Sequence, residues 1–184
     1  MDEFSDNALM NKVREGDLGK LGLLFERYKK TLFGFFHGIY QDRAVCEDLV
    51  QNVFYRILRY RRLFRGDGEF KMWMFSIARN ISHDHFRKDH LKRKSDPIED
   101  WTHALRVEDR FSEIKAEEER ITLGMALERL AHDKREVLML SKYSNKRYKE
   151  IGEILGCSEG AVKIKVFRAL KDLKEIFQQL EKSR

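Results

Sequence analysis

Helix-compatible periodicity runs through this chain almost without interruption, and a single proline, Pro97, stands in its 184 residues. Proline removes a backbone donor and clashes with the preceding turn, so a chain this poor in it can continue a helix wherever the side-chain pattern favours one. No segment alternates apolar and polar residues in the two-residue rhythm of a half-buried strand. The expected fold class is therefore all-α.

The apolar positions divide that helical content into two groups. Leu21, Leu24, Phe25, Tyr28, Leu32, Phe35 and Ile39 recur at steps of three and four, which predicts an amphipathic helix over residues 18–39. Val45, Leu49, Val53 and Ile57 mark a second over 42–63. A third follows the turn at Arg65-Gly66-Asp67-Gly68 and carries Phe70, Trp73, Met74, Ile77 and Ile81. Three helices with short connections make a bundle, giving a first domain over residues 1–91. Residues 92–112 hold Pro97, many acids and only scattered apolar residues (Ile98, Trp101, Leu105, Val107 and Phe111), the composition of an acidic flexible linker.

Helical periodicity returns in residues 113–184 through Ile121, Met125, Leu127 and Leu130, then Val137, Leu138 and Leu140. Tyr148 to Leu155 forms a short helix that Gly156 can end in the left-handed conformation, and Ser158 is a natural N-cap for the helix that follows. A helix, a glycine-containing turn and a capped helix form a helix-turn-helix unit. On a wheel, Val162, Val166, Ala169, Leu170, Leu173 and Phe177 form its buried stripe. The opposite side presents Gly160, Ile164, Arg168 and Lys171, bordered by Lys163, Phe167 and Lys174 on one edge and Lys165 on the other. Cations for phosphates and guanines, mixed with apolar groups for thymine methyls, suit a helix entering a DNA groove.

Charge follows the same division. Net charge is +6, but residues 56–94 carry 12 Lys and Arg against 4 Asp and Glu, residues 95–120 carry 4 against 9, and residues 141–184 carry 11 against 6. Two basic modules joined by an acidic segment point to a polyanionic partner for each module. The run Trp73 to Arg87, WMFSIARNISHDHFR, interleaves aromatic rings, an amide and cations at helical spacing, so it can grip a phosphate backbone and stack on an unpaired base. An ordinary amphipathic helix with Trp73 and Ile77 in the core is the plain alternative for that segment.

Cys46 and Cys157 lie far apart and form no pair with metal-ligand spacing, so they read as reduced, small apolar residues. No apolar run reaches the length of a membrane span, and the acidic N-terminus MDEFSDNALM lacks the basic-then-apolar order of a signal peptide. These features are those of a cytoplasmic protein.

Four motifs in order carry a resemblance to a known family: CEDLVQNVF at 46–54, FKMWMFSIARN at 70–80 with Asp84 and Arg87, REVLML at 135–140, and YKEIGEILGCSEGAVKIKVFRAL at 148–170. Together they resemble a bacterial RNA polymerase sigma factor of the extracytoplasmic-function (ECF) class, over nearly the whole chain apart from the linker. The resemblance implies a region 2-like first domain and a region 4-like second domain. It implies that Asp48, Gln51, Asn52 and Tyr55 dock on core RNA polymerase. Trp73, Arg79, Asn80, His83 and Arg87 would read and melt the minus-ten promoter element. Lys163, Ile164, Phe167, Arg168 and Lys171 would read the minus-thirty-five element.

Core RNA polymerase, promoter DNA and an anti-sigma factor are the partners implied, with no cofactor, no metal and no catalysis. The chain departs from the pattern at Met74, where leucine is usual, at Ile164, where a small hydroxyl residue is common, and at Leu170, which replaces a frequent arginine. Two other classes compete. A metal-dependent hydrolase could start from His83-Asp84 with His85 and His90, but these lie in one short basic segment with no clear second cluster of ligands, leaving His37, His103 and His132 unassigned. A helix-turn-helix regulator acting without polymerase would leave the Asp48 to Tyr55 surface and the Trp73 segment without a role.

Overall fold

Capping chemistry sets most of the helix boundaries in the structure, a computed structural model that describes residues 5–66, 68–93 and 111–183. The first helix, α1 (Asp6–Glu15), was not expected from periodicity. Ser5 caps it by accepting from the Ala8 N–H at 3.3 Å, and Gly16 closes it at φ 117°, donating to the Lys12 and Val13 carbonyls. The next helix, α2 (Gly19–Tyr40), agrees with the predicted 18–39 segment and ends at Gln41 with φ 56°. Asp42 caps α3 (Arg43–Arg59) through the Val45 N–H at 3.0 Å. This helix stops short of the predicted Leu63 because the chain tightens into a 3-10 turn at Arg61–Leu63.

The start of α4 (Phe70–Arg93) is held by a residue distant in sequence. Asn7 of α1 accepts from the Phe70 N–H at 2.7 Å and donates to the Gly68 carbonyl at 2.9 Å. α1 is fastened in turn by Asp6, which bonds Arg27 and Tyr28 of α2. The four helices enclose Phe35, Phe36, Phe70 and Phe75, all fully buried, with Phe35 and Phe75 meeting edge to face at 5.6 Å between ring centres. Arg56 of α3 bonds Asp84 of α4 at 2.8 Å, and this hydrogen bond lowers the Asp84 carboxyl below the usual carboxylate range.

The second half holds α5 (Phe111–Arg129), α6 (His132–Tyr143), α7 (Tyr148–Leu155) and α8 (Glu159–Lys182). As the sequence predicts, Gly156 ends α7 in the left-handed region, at φ 68°, and Ser158 caps α8 by accepting from the Ala161 N–H at 3.2 Å. The buried stripe of α8 is narrower than expected. Val162, Val166, Ala169 and Leu180 are buried and Leu173 and Phe177 half-buried, but Leu170 is 54% exposed, because it lies one helical step off the line facing α5, α6 and α7. On α5 the buried side holds Thr122 and Ala126 and is continued by Leu130 just past its end, whereas Met125 is exposed.

The two halves pack against each other. Helix α6 lies between α2 and α8, so Glu136, Val137, Leu138, Met139 and Leu140 are buried in succession rather than on one face. Close approach of α2 and α6 depends on two glycines. A Cβ at Gly38 would lie 2.0 Å from the Met139 sulfur, and one at Gly34 would lie 2.6 Å from the Tyr143 ring. Around that seam, Arg135 donates to the Ile39 carbonyl in the last turn of α2 and Gln41 to the Gly124 carbonyl within α5, each at 2.5 Å, and the first satisfies a helix-end acceptor. Most of the expected linker, residues 94–110, lies outside the described residues.

His132 at the start of α6 stacks on Phe86 of α4 with 4.1 Å between ring centres. Its imidazole also faces Tyr40 of α2, His83 and His85 of α4, and Asp133 and Arg135 of its own helix. Burial, with help from the Arg135 and His83 charges, lowers its pKa from the usual 6.5 to about 4. A base held neutral stabilises the fold fully above its unfolded pKa, and that contribution fades as pH falls from about 6.5 toward 4. The urea midpoint of the wild type should therefore exceed that of His132→Gln by a margin that narrows between pH 7 and pH 5, and the His132 ring resonance should titrate well below 6. A margin that widens on acidification would contradict this account.

Candidate functional site

On α3 the spacing that buries one side presents the other. Cys46, Leu49, Val50, Val53, Phe54 and Ile57 face the core, while Asp48, Gln51, Asn52 and Tyr55 fall together on the outer side at steps of three and four. All four are exposed, and Tyr55 is 59% so, a large ring area left in water. Beside Gln51 a groove between α2 and α3 is floored by Phe25, Phe33 and Val50 and rimmed by Lys29, Lys30 and Arg43. Burial raises the Cys46 thiol to about 12, so it is a packing group with no thiolate character.

The five predicted residues of α4 divide into two lines. Trp73, Asn80 and Arg87 are seven residues apart and share one line. Arg79 and His83 belong to the neighbouring line, with Phe86, and face α6. Asn80 and Arg87 are exposed, and Arg87 pairs with Asp84 at 3.2 Å. Trp73 is half-buried and packs on Phe64 and Phe70, with ring centres at 5.3 and 6.4 Å, so part of its surface belongs to the aromatic core edge.

Arg79 and His83 are engaged by a residue that sequence reasoning did not select. The Glu136 side chain, only 4% exposed, accepts from Arg79 Nε at 3.3 Å, and His83 Nε2 lies 2.9 Å from its other oxygen. A buried carboxylate requires compensation of this kind, since an unpaired one would be strongly destabilising. Tyr40 of α2 adds a second polar link, donating to the Ser82 carbonyl of α4 at 2.6 Å and reaching His132 Nε2 at 3.4 Å. Burial raises the Tyr40 phenol to about 12, so it remains a donor. The available signal was Glu136 itself, a charge inside the apolar run REVLML.

On α8 all five predicted residues, Lys163, Ile164, Phe167, Arg168 and Lys171, are exposed. Ile164 is 53% and Phe167 69% exposed, and Lys165 and Lys174 extend the positive surface on either side. Lys163 pairs with Glu159 one turn earlier at 2.9 Å. Among the described residues, no group of three or more His, Cys, Asp and Glu is placed to hold a metal ion. No helix among them is long and apolar enough to cross a membrane.

Comparison with known proteins matches residues 24–91 to the family described as Sigma-70 region 2 and residues 120–173 to Sigma-70, region 4. The ECF RNA polymerase sigma factor SigX of Bacillus subtilis is 30% identical, over 86% of this chain and 84% of its own length. The ECF RNA polymerase sigma-E factor of Haemophilus influenzae is 27% identical, over 97% of this chain and 98% of its own. Among solved structures, the sigma factor RpoE of Bartonella quintana, in complex with the anti-sigma factor NepR, superposes with TM-score 0.67 at 26% identity, covering 88% of this chain and 97% of that one. CnrH, in complex with the cytosolic domain of CnrY, has the same fold, with TM-score 0.69 at 22% identity over 95% of this chain and 97% of the other. Two matched regions in the order of the two helical halves, with a relative at 30% identity over most of both chains, show that this chain belongs to the ECF RNA polymerase sigma factor family.

Proposed function

We propose that the chain directs core RNA polymerase to a set of promoters through three surfaces, one on each of α3, α4 and α8. The observation that carries this reading is that one chain contains both sigma regions and leaves the matching faces of α3 and α8 in water, with large apolar groups among the charges. Asp48, Gln51, Asn52 and Tyr55 supply the polymerase-docking side. Trp73, Arg79, Asn80, His83 and Arg87 supply the surface for the minus-ten strand. Lys163, Ile164, Phe167, Arg168 and Lys171 supply the groove contacts of the upstream element. Residues 1–91 and 113–184 act as the two binding modules and residues 92–112 as the acidic connection between them.

The mechanism divides labour without covalent chemistry. Each module binds DNA weakly, and docking both on one polymerase raises their effective concentration at correctly spaced elements. Opening the duplex costs stacking energy that captured, unpaired bases return, so recognition and melting become one step. Asn80 suits an extruded base because its amide both donates and accepts. The exposed Ile164 and Phe167 suit thymine methyl groups, flanked by lysines for the phosphates. An anti-sigma factor is a fitting regulator, since two solved relatives of this fold are captured with such a partner or with another protein's cytosolic domain.

Three substitutions test the assignment. Tyr55→Ala should weaken co-elution with purified core polymerase by about tenfold, the usual cost of losing a central aromatic anchor. Asn80→Ala should leave co-elution intact and slow open-complex formation about fivefold, as expected for one lost hydrogen bond of about 1 kcal/mol. Arg168→Ala should weaken binding to the upstream element and reduce the slope of log affinity against log salt by about 1. Wild-type run-off transcription from a genomic promoter library is the overall measurement, and absence of any polymerase-dependent transcript would reject the proposal.

A further inference from the structure

Resting on the reading above, we infer that α1, which precedes the matched region 24–91, is the positioning element for Trp73, with Asn7 and Arg14 holding the backbone of the two phenylalanines on which that ring is seated. Trp73 lies half-buried across Phe64 and Phe70, with ring centres at 5.3 and 6.4 Å, and both of those rings are buried. The tilt at which the indole meets a strand is therefore fixed by where Phe64 and Phe70 stand. Each is tied to α1 at its own main chain. Arg14 Nη1 donates to the Phe64 carbonyl at 3.1 Å and to the Arg65 carbonyl at 3.4 Å, while Asn7 Oδ1 accepts from the Phe70 N–H at 2.7 Å and Asn7 Nδ2 donates to the Gly68 carbonyl at 2.9 Å. A third neighbour is held as well: Asp6 accepts from the Tyr28 hydroxyl, and the Tyr28 ring centre lies 5.8 Å from that of Phe70.

These contacts occupy a face of α1 distinct from its packed side. Leu9, Met10 and Val13 enter the core, whereas Asn7, Asn11 and Arg14 follow one another at steps of four and three along the 64–70 segment. That segment contains Gly66, at φ 78°, and Gly68, and glycine backbone keeps many conformations open, so the segment alone does not set the placement of Phe64 relative to Phe70. Asn11 lies against Gly66, where an added Cβ would stand 3.1 Å from its Oδ1. A helix needed only for its apolar side could leave the carbonyls and N–H of this connection to water. Instead, hydrogen bonds from Asn7 and Arg14 span it from Phe64 to Phe70 and turn a glycine-containing connection into a fixed seat. A ring already held at its working angle does not have to be ordered when the strand arrives, which favours capture of an unpaired base.

The test uses the full-length chain carrying Trp101→Phe, which leaves Trp73 as its sole tryptophan. Asn7→Ala and Arg14→Ala remove the brace at opposite ends of the segment, and Asn7→Asp keeps the acceptor for the Phe70 N–H. Acrylamide quenching of Trp73 fluorescence reads the seating without DNA, and circular dichroism verifies that the helices remain. Polymerase reconstituted with each variant is then titrated with a fork-shaped DNA, duplex upstream and single-stranded over the minus-ten segment of a promoter recovered by run-off transcription. Each alanine variant should show faster quenching and about fivefold weaker fork binding, the scale of one lost hydrogen bond, with wild-type co-elution with core polymerase and wild-type binding of upstream duplex. Asn7→Asp should restore both the quenching and the fork binding. Trp73→Ala should weaken fork binding roughly tenfold, the scale of one lost stack, and adding Asn7→Ala to it should weaken binding no further, because the brace acts through the ring. Unchanged quenching in both alanine variants overturns the inference, and so does a further fivefold loss from Asn7→Ala in the Trp73→Ala background. Faster quenching in the alanine variants together with wild-type fork binding by Trp73→Ala rejects the strand role of Trp73 rather than its seating, whereas no fork binding by the wild-type holoenzyme rejects the promoter mechanism itself.

Discussion

Helix α2 is the constraint on which the rest of the structure depends, because it is buried on more than one side. Its inward residues Leu24, Tyr28, Leu32, Phe35, Phe36 and Ile39 pack against α1, α3 and α4, while Gly34 and Gly38 provide the slot that admits α6. A helix with a single apolar stripe would complete a three-helix bundle and leave the second half tethered elsewhere. The two glycines expose backbone instead, and backbone approached that closely offers little area to water but many contacts to a fitting side chain. One element thereby serves as the core of the first half and as the docking wall for the second.

Electrostatics then sorts the surface. Exposed cations on α8 and the exposed amide and carboxylate on α3 pay no desolvation, and their local ion pairs, such as Lys163 with Glu159, contribute little to stability. Glu136 is different in kind. Its burial is tolerated only because Arg79 and His83 face it, so it contributes to which arrangement of the halves forms more than to how stable that arrangement is. His132 acts in the same direction, since burial first and the nearby Arg135 charge second hold its ring neutral.

Local order was legible in the sequence where one rule dominated. The period of α2, the cap pair Gly156 and Ser158, and the outward face of α8 all follow from spacing and backbone preference, and the structure reproduces them. Short α1 has few periodic positions to detect, although Ser5 and Gly16 mark both its ends. Leu170 and Met125 were expected inside because they are apolar, but their positions lie off the packed line, and composition cannot decide such a case. The seam was not legible. Nothing in the spacing of Arg79 and His83 says that their counter-charge is Glu136, 57 positions away along the chain from the arginine. Pairing at that distance is fixed by how α6 enters the α2 slot, which is a property of the packed whole.

The exposed apolar residues complete the argument from the opposite side. Tyr55, Ile164 and Phe167 stand in water at 59%, 53% and 69% exposure, in a chain that otherwise fills a glycine slot with methionine and tyrosine rather than leave it open. Isolated exposed apolar side chains need no explanation, but these three each sit among polar or charged neighbours on a helix face whose other side is packed. Repacking them inward would require turning α3 or α8 about its axis and exposing Val53 or Val166, which are buried. The cost of leaving them out is therefore set by the core, and surfaces held open in this way are available for partners without any rearrangement of the helices that present them. Arg79 is the contrast: the same core geometry that displays α3 and α8 sets the buried Glu136 of α6 against its guanidinium and leaves it half-buried, while His83 one turn further along stays exposed.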